Sequence, residues 1–276
     1  DVEKLGSSMT RVIVVTSGKG GVGKSTCTAN LGMALAQRKK KVVVIDADFG
    51  LRNLDLLLGL ENRIVYTALD VLAGDCTAEK AMVKDKRQPN LALIAAAQNR
   101  NKEAITPEQM KQLVKDLSGK CDIVIIDCPA GIELGFQNAI APAKEAIVVT
   151  TPEISAVRDA DRVIGLLEAN DVKNTKLLIN RLKPAMVRDE QMMSVRDVLD
   201  ILAVPLLGVV PDDERVIVSS NRGQPLVLEQ ELSMAGVAFN NVARRLLGEE
   251  VPLMDLTAPH DDIFARIRRL FRGSSK

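Results

Sequence analysis

The residues best suited to chemistry form one run, Gly18-Lys19-Gly20-Gly21-Val22-Gly23-Lys24-Ser25, followed by Thr26. Glycines let consecutive backbone N–H groups turn inward around phosphate oxygens. A helix starting at the end of the run adds the partial positive charge of its N-terminus. Lys24 would reach the β- and γ-phosphates, and Ser25 would offer its hydroxyl to Mg²⁺. A glycine-rich strand–helix turn without nucleotide is the plainer alternative. The Gly-Lys-Ser ending and the flanking pattern favour a phosphate cradle, with ATP and Mg²⁺ as the expected ligands.

A metal–triphosphate site also needs carboxylates at the ends of neighbouring strands. Asp127 follows the apolar run at 122–126 (DIVII) and would hold Mg²⁺ through a water. Asp46 and Asp48 follow a second run at 41–45 (KVVVI). Residues two apart on an extended chain point the same way, so both can face one site. A lone strand-end aspartate is often only a helix cap; three beside the loop point to a metal–triphosphate site, with Ser25 and Asp127 as expected Mg²⁺ contacts and Asp46 and Asp48 facing the same site.

The elements that must position these groups alternate. Strands are expected at Arg11–Thr16, 41–45, 91–95, 122–126, 146–150, 176–179 and 206–210, with a helix at 25–38 after the loop. Apolar runs without polar alternation suit strands buried on both faces. Their alternation with helical patterns predicts an α/β fold: a single-domain, mostly parallel β-sheet flanked by helices, of the P-loop NTPase kind. Apolar residues are 46% of the chain but aromatics only 2%, so the core is expected to be aliphatic and stacking platforms for single-stranded nucleic acid are not. Lys plus Arg number 37 against 36 Asp plus Glu, which argues against coating nucleic acid by global charge. Cys27, Cys76, Cys121 and Cys128 contain no C-x-x-C pair and His260 is the lone histidine, so a zinc site is not expected and the cysteines read as small core residues in a reducing compartment. No apolar run approaches the ~20 residues of a membrane span.

Residues 1–8 precede the first methionine and read as a tag or a processed stub, and 9–248 as the globular domain. Residues 249–262 (EEVPLMDLTAPHDD) read as a linker, and 263–276 as a helix of its own. On a wheel of ~100° per residue, Ile263, Phe264, Ile267, Leu270 and Phe271 share an arc of about 120°, with Arg266, Arg268, Arg269 and Arg272 outside it. That pattern suits a helix lying in an anionic membrane surface. The same wheel fits a helix docked on its own domain; the preceding linker and the arginines favour the membrane. One such helix binds weakly, and two on a dimer gain by effective concentration, on the order of 10²-fold.

The loop resembles that of the deviant Walker A ATPases (K-G-G-x-G-K-[ST]), whose extra lysine, here Lys19, reaches the partner's nucleotide across a homodimer. Residues 48–55 (DFGLRNLD), 127–133 (DCPAGIE), 151–162 (TPEISAVRDADR) and 208–213 (GVVPDD) resemble, in order, blocks of the MinD family of bacterial and plastid division-site ATPases. Wording such as LGLENR and DADR is closer to its cyanobacterial and plastid forms. The resemblance runs from about residue 11 to 248 and resumes at the C-terminal helix. It implies an ATPase in which Lys19, Lys24 and Asp48 are catalytic, with Asp48 positioning the attacking water and Asp46 near the metal shell. It implies adenine recognition by Asn180 and Arg181, just after a strand, with Pro211 and Asp212 on the other side of the base; Asn180 could equally cap a turn. Arg52, Asn53, Glu153 and Asp159 would lie on the dimer and partner surface, although Asp159 sits on a stretch that also reads as a solvated helix face. Implied partners are a second copy when ATP is bound, a MinE-like activator, a MinC-like inhibitor of FtsZ if the chain is bacterial, and an anionic membrane; no nucleic acid is expected. Implied locations are the cytoplasmic face of the inner membrane, or plastid stroma and inner envelope. Rival readings are a ParA-like DNA-partitioning ATPase, a FlhG-type flagellar regulator and a nitrogenase-like iron protein, whose cluster-ligand spacing the cysteines do not match.

Overall fold

A computed structural model describes residues 9–49, 51–97 and 105–256. The expected stub at 1–8 and the amphipathic helix at 263–276 lie outside the described residues, as does the later part of the expected linker.

The strands are β1 (Arg11–Thr16), β2 (Val42–Asp46), β3 (Val83–Lys84), β4 (Leu91–Ile94), β5 (Ile123–Asp127), β6 (Glu145–Thr150), β7 (Asn174–Leu182) and β8 (Leu206–Pro211). They form one sheet in the order β3-β4-β2-β5-β1-β6-β7-β8, parallel except for the β3–β4 pair. The helices are α1 (Lys24–Gln37), α2 (Leu54–Leu58), α3 (Ala68–Ala73), α4 (Ala78–Ala81), α5 (Pro107–Leu117), α6 (Leu134–Ile140), α7 (Ile154–Ala169), α8 (Pro184–Arg188), α9 (Val195–Ile201), α10 (Glu214–Asn221) and α11 (Met234–Leu246). The fold expected from the sequence is the one found.

Period-two alternation sorts the strand residues into two cores. Val14, Ile45, Val124, Ile126 and Val148 pack with Phe136 of α6 and with α5 and α7 on one face. Ile13, Val15, Val44, Ile125 and Ile147 pack with α1 and with Phe239 of α11 on the other. Each core is aliphatic around one buried phenylalanine, which fits the scarcity of aromatics.

Three differences from expectation have local causes. The antiparallel β3 has two residues, too few to show a period. β7 reaches Leu182, so Asn180 and Arg181 lie within a strand rather than after it. Its pairing with β8 jumps from Ile179 to Leu182, and Arg181 there has φ 58. Lastly, the first part of the expected linker is fastened to the domain. Arg245 donates to the carbonyls of Val251 (2.8 Å) and Pro252 (2.7 Å), Met254 packs against both cores, and Leu256 is buried in the α5–α7 face. Residues 249–256 thus form a strap around the sheet edge at β8.

Candidate functional site

β1 lies between β5 and β6, so the loop leaving its C-terminal end sits beside the end of β5. The chain turns there through Gly21 (φ +80) and Gly23 (φ +91), a backbone that L side chains rarely adopt. Gly23 is also the N-cap of α1, and no side chain caps this helix. By contrast, Thr106, Ser194 and Ser233 cap α5, α9 and α11. The first amides of α1 therefore keep the donor capacity that a capped helix uses on itself, which is what a phosphate requires.

Lys24 opens α1 and is buried; its Nζ donates to Asp127 Oδ1 at 3.0 Å. Burial pulls its pKa down, but the neighbouring Asp127 outweighs burial and holds it above the usual lysine value. Thr28 Oγ1 also lies 3.0 Å from Asp127 Oδ1, a contact the motif did not single out. Asp46 is the register partner of Asp127 across β2 and β5. Its Oδ1 accepts from the amide of Asp48, and its Oδ2 from the amides of Asn53 and Leu54. Burial and then the charge of Asp127 push its carboxyl up to about 7. Asp46 thus folds the Asp48 loop and the start of α2 around itself. Asp48, Ser25 and Thr26 are half-buried.

Among the described residues no group of three or more His, Cys, Asp or Glu side chains could hold a metal alone. The available donors are hard oxygens: the Ser25 hydroxyl and the strand-end carboxylates Asp46 and Asp127. That set fits Mg²⁺, which retains waters and takes its remaining ligands from phosphates.

The other expected residues surround this centre. Lys19 is 44% exposed at the loop rim, with Nζ 3.3 Å from Ser155 Oγ and 4.0 Å from Glu153 at the start of α7. Gly18 abuts α7, where an added Cβ would lie 2.2 Å from the Asp159 backbone. Gly20 is exposed and Val22 buried. Arg52 turns back onto Asp55 of α2 at 2.6 Å, while Asn53 and Glu153 are exposed. A cavity of about 1280 Å³ opens beside the loop, lined by Gly23, Thr26, Asn180, Arg181, Pro211 and Asp212, among others. It brings the four residues expected at adenine together with the cradle. Met186, Val187, Met192 and Met193 also line it and were not anticipated, because methionines carry no motif. Ile263, Phe264, Ile267, Arg268, Arg269, Leu270 and Phe271 lie outside the described residues.

Comparison with known proteins extends this geometry. The ParA family profile, described as an NUBPL iron-transfer P-loop NTPase, matches residues 8–247. A septum site-determining protein MinD from Synechocystis is 66% identical over 265 residues, covering 96% of this chain and 100% of that protein. Among solved structures, a MinC:MinD cell division complex from Aquifex aeolicus matches with a TM-score of 0.82 at 50% identity, over 88% of this chain and 98% of that one. MinD from Pyrococcus horikoshii, complexed with Mg-ADP, matches with a TM-score of 0.79 at 34% identity, over 86% and 96%. A P-loop cradle at the end of β1, two strand-end aspartates in register beside it and this near-full-length identity place the chain in the MinD family of septum site-determining P-loop NTPases.

Proposed function

We propose that this chain is a Mg²⁺-dependent ATPase that closes into a homodimer on ATP, holds an anionic membrane while dimeric, and so sets the position of the division site. The observation that carries the reading is the placement of the two loop lysines. Lys24 is buried toward Asp127, whereas Lys19 stands at the rim with almost half its side chain in solvent. A rim cation suits a second copy's triphosphate, where it would neutralise charge on the transferring phosphoryl group. Exposed Leu51, Ile132, Leu134 and Ile154 on neighbouring segments supply apolar surface for such a contact.

Asp48, half-buried next to the metal carboxylates, is the residue to position the attacking water. Asn180, Arg181, Pro211 and Asp212 would receive adenine, and Asn53, Glu153 and Asp159 would meet the second copy or a partner. The Aquifex MinD complex with MinC supports a MinC-like partner here. No helix among the described residues is long and apolar enough to cross a membrane. Membrane contact is assigned to residues 263–276, from the cytoplasmic or stromal side, and a MinE-like activator would act on the membrane-bound dimer.

Sedimentation velocity and vesicle co-sedimentation test this reading. Wild type with Mg-ATP should dimerise and pellet with anionic vesicles. Lys19→Ala should stay monomeric, and a chain ending at residue 262 should dimerise without pelleting. Dimerisation unaffected by Lys19→Ala, or vesicle binding retained without 263–276, would overturn the corresponding half.

A further inference from the structure

Asn180 and Arg181 do more at this site than line a base pocket; the inference rests on the nucleotide reading above. Asn180 Nδ2 donates to the carbonyl of Val22 at 2.9 Å, and Arg181 Nη1 donates to the carbonyl of Gly21 at 2.8 Å. In a trans peptide the C=O and N–H of one unit point opposite ways. Fixing the Gly21 carbonyl on Arg181 fixes the Val22 N–H on the opposite side of its peptide, and fixing the Val22 carbonyl on Asn180 does the same for the Gly23 N–H. Inward N–H groups are what a phosphate cradle is made of.

The strand is distorted in a way that serves these two bonds. Adjacent strand residues normally face opposite sides, yet both side chains here reach one loop. The pairing irregularity between Ile179 and Leu182 permits that, with Arg181 in the left-handed region at φ 58. A non-glycine residue held there is strained and persists where its surroundings over-determine it. The fit is close: a Cβ on Gly23 would lie 2.3 Å from Asn180 Nδ2. The loop needs such a restraint, because its glycines impose little of their own.

We propose that Asn180 and Arg181 are positioning residues for the phosphate cradle, pre-setting the Val22 and Gly23 amides before nucleotide arrives. This contribution belongs to the triphosphate and adds to what the same residues give the base.

Calorimetric titration with Mg-ATP and with magnesium inorganic tripolyphosphate, at one ionic strength, tests this. Asn180→Ala and Arg181→Ala should each weaken tripolyphosphate on the order of tenfold, and ATP by at least as much. Arg181→Lys, which keeps one donor, should recover part of the loss. Because Arg181 is exposed, its variants serve even if Asn180→Ala fails to fold. Loss confined to ATP with tripolyphosphate unaffected would overturn the proposal, as would wild type that holds ATP but not tripolyphosphate. Wild type that binds neither ligand would instead refute the nucleotide reading.

Discussion

Lys24 and Asp127 were each legible as motif residues, but their ion pair was not, since 103 positions separate them in sequence. Cysteine environments were legible only in part. Cys27, Cys121 and Cys128 are buried as the sequence implied, whereas Cys76 is half-exposed on the short segment between α3 and α4. Burial pushes the Cys27 and Cys128 thiols up to about 12 and Cys121 up to about 11. Thiolate is the reacting form. Partial burial and the charges of Asp70 and Asp75 raise the Cys76 thiol too, so its exposure is what sets it apart: at pH 8 the native protein should titrate one fast thiol with Ellman's reagent, with the other three appearing only in denaturant. Replacing Cys76 with serine should remove the fast phase.

At the scale of elements, a clamp between segments distant in sequence was not visible beforehand. Arg87 joins three segments, donating to both carboxylate oxygens of Asp85, to the Leu58 carbonyl at the end of α2 and to the Gly223 carbonyl just after α10. Gly59 and Gly223 both have positive φ and meet backbone to backbone, and a Cβ on either would lie 2.6 Å from the other. Asp46 holds the opposite end of α2, so the clamp fixes the helix that follows the Asp48 loop. Despite burial, the Arg87 hydrogen bonds hold the Asp85 carboxyl below its ordinary value. A depressed carboxylate stabilises the fold above its unfolded pKa, and that gain is lost as pH falls through the folded pKa. Asp85→Asn should thus cost about 1.5–3 kcal/mol at pH 7. Thermal melts should show the gap to wild type narrowing as pH drops below ~4, the ordinary aspartate range. A gap that is the same at pH 7 and pH 3 would place the cost in packing instead. The clamp escaped the sequence because α2 to α4 are four to six residues long and an Asp-x-Arg triplet carries no period. The β7 bulge escaped it because nothing in an Asn-Arg pair announces a left-handed backbone.

For the whole molecule, the parallel sheet was legible because its central strands are unbroken apolar runs, a pattern forced by helices covering both faces. The phosphate cradle was legible because its constraint is local and written in glycine. What could not be read was where the domain ends. Gly248 closes the helical pattern of α11 and has φ +88, so the sequence reads as stopping there. The strap shows that packing continues to Leu256. That has a practical consequence for where a gene should be cut. A protein truncated at 248 loses a buried leucine from one core and two carbonyl partners of Arg245, at a cost of about 2–5 kcal/mol if the leucine alone is taken as guide. It should melt well below one ending at 262, which should match the chain ending at 276. Loss of membrane binding in the shorter truncation would mix damage to the sheet edge with removal of residues 263–276, and the truncation at 262 separates the two.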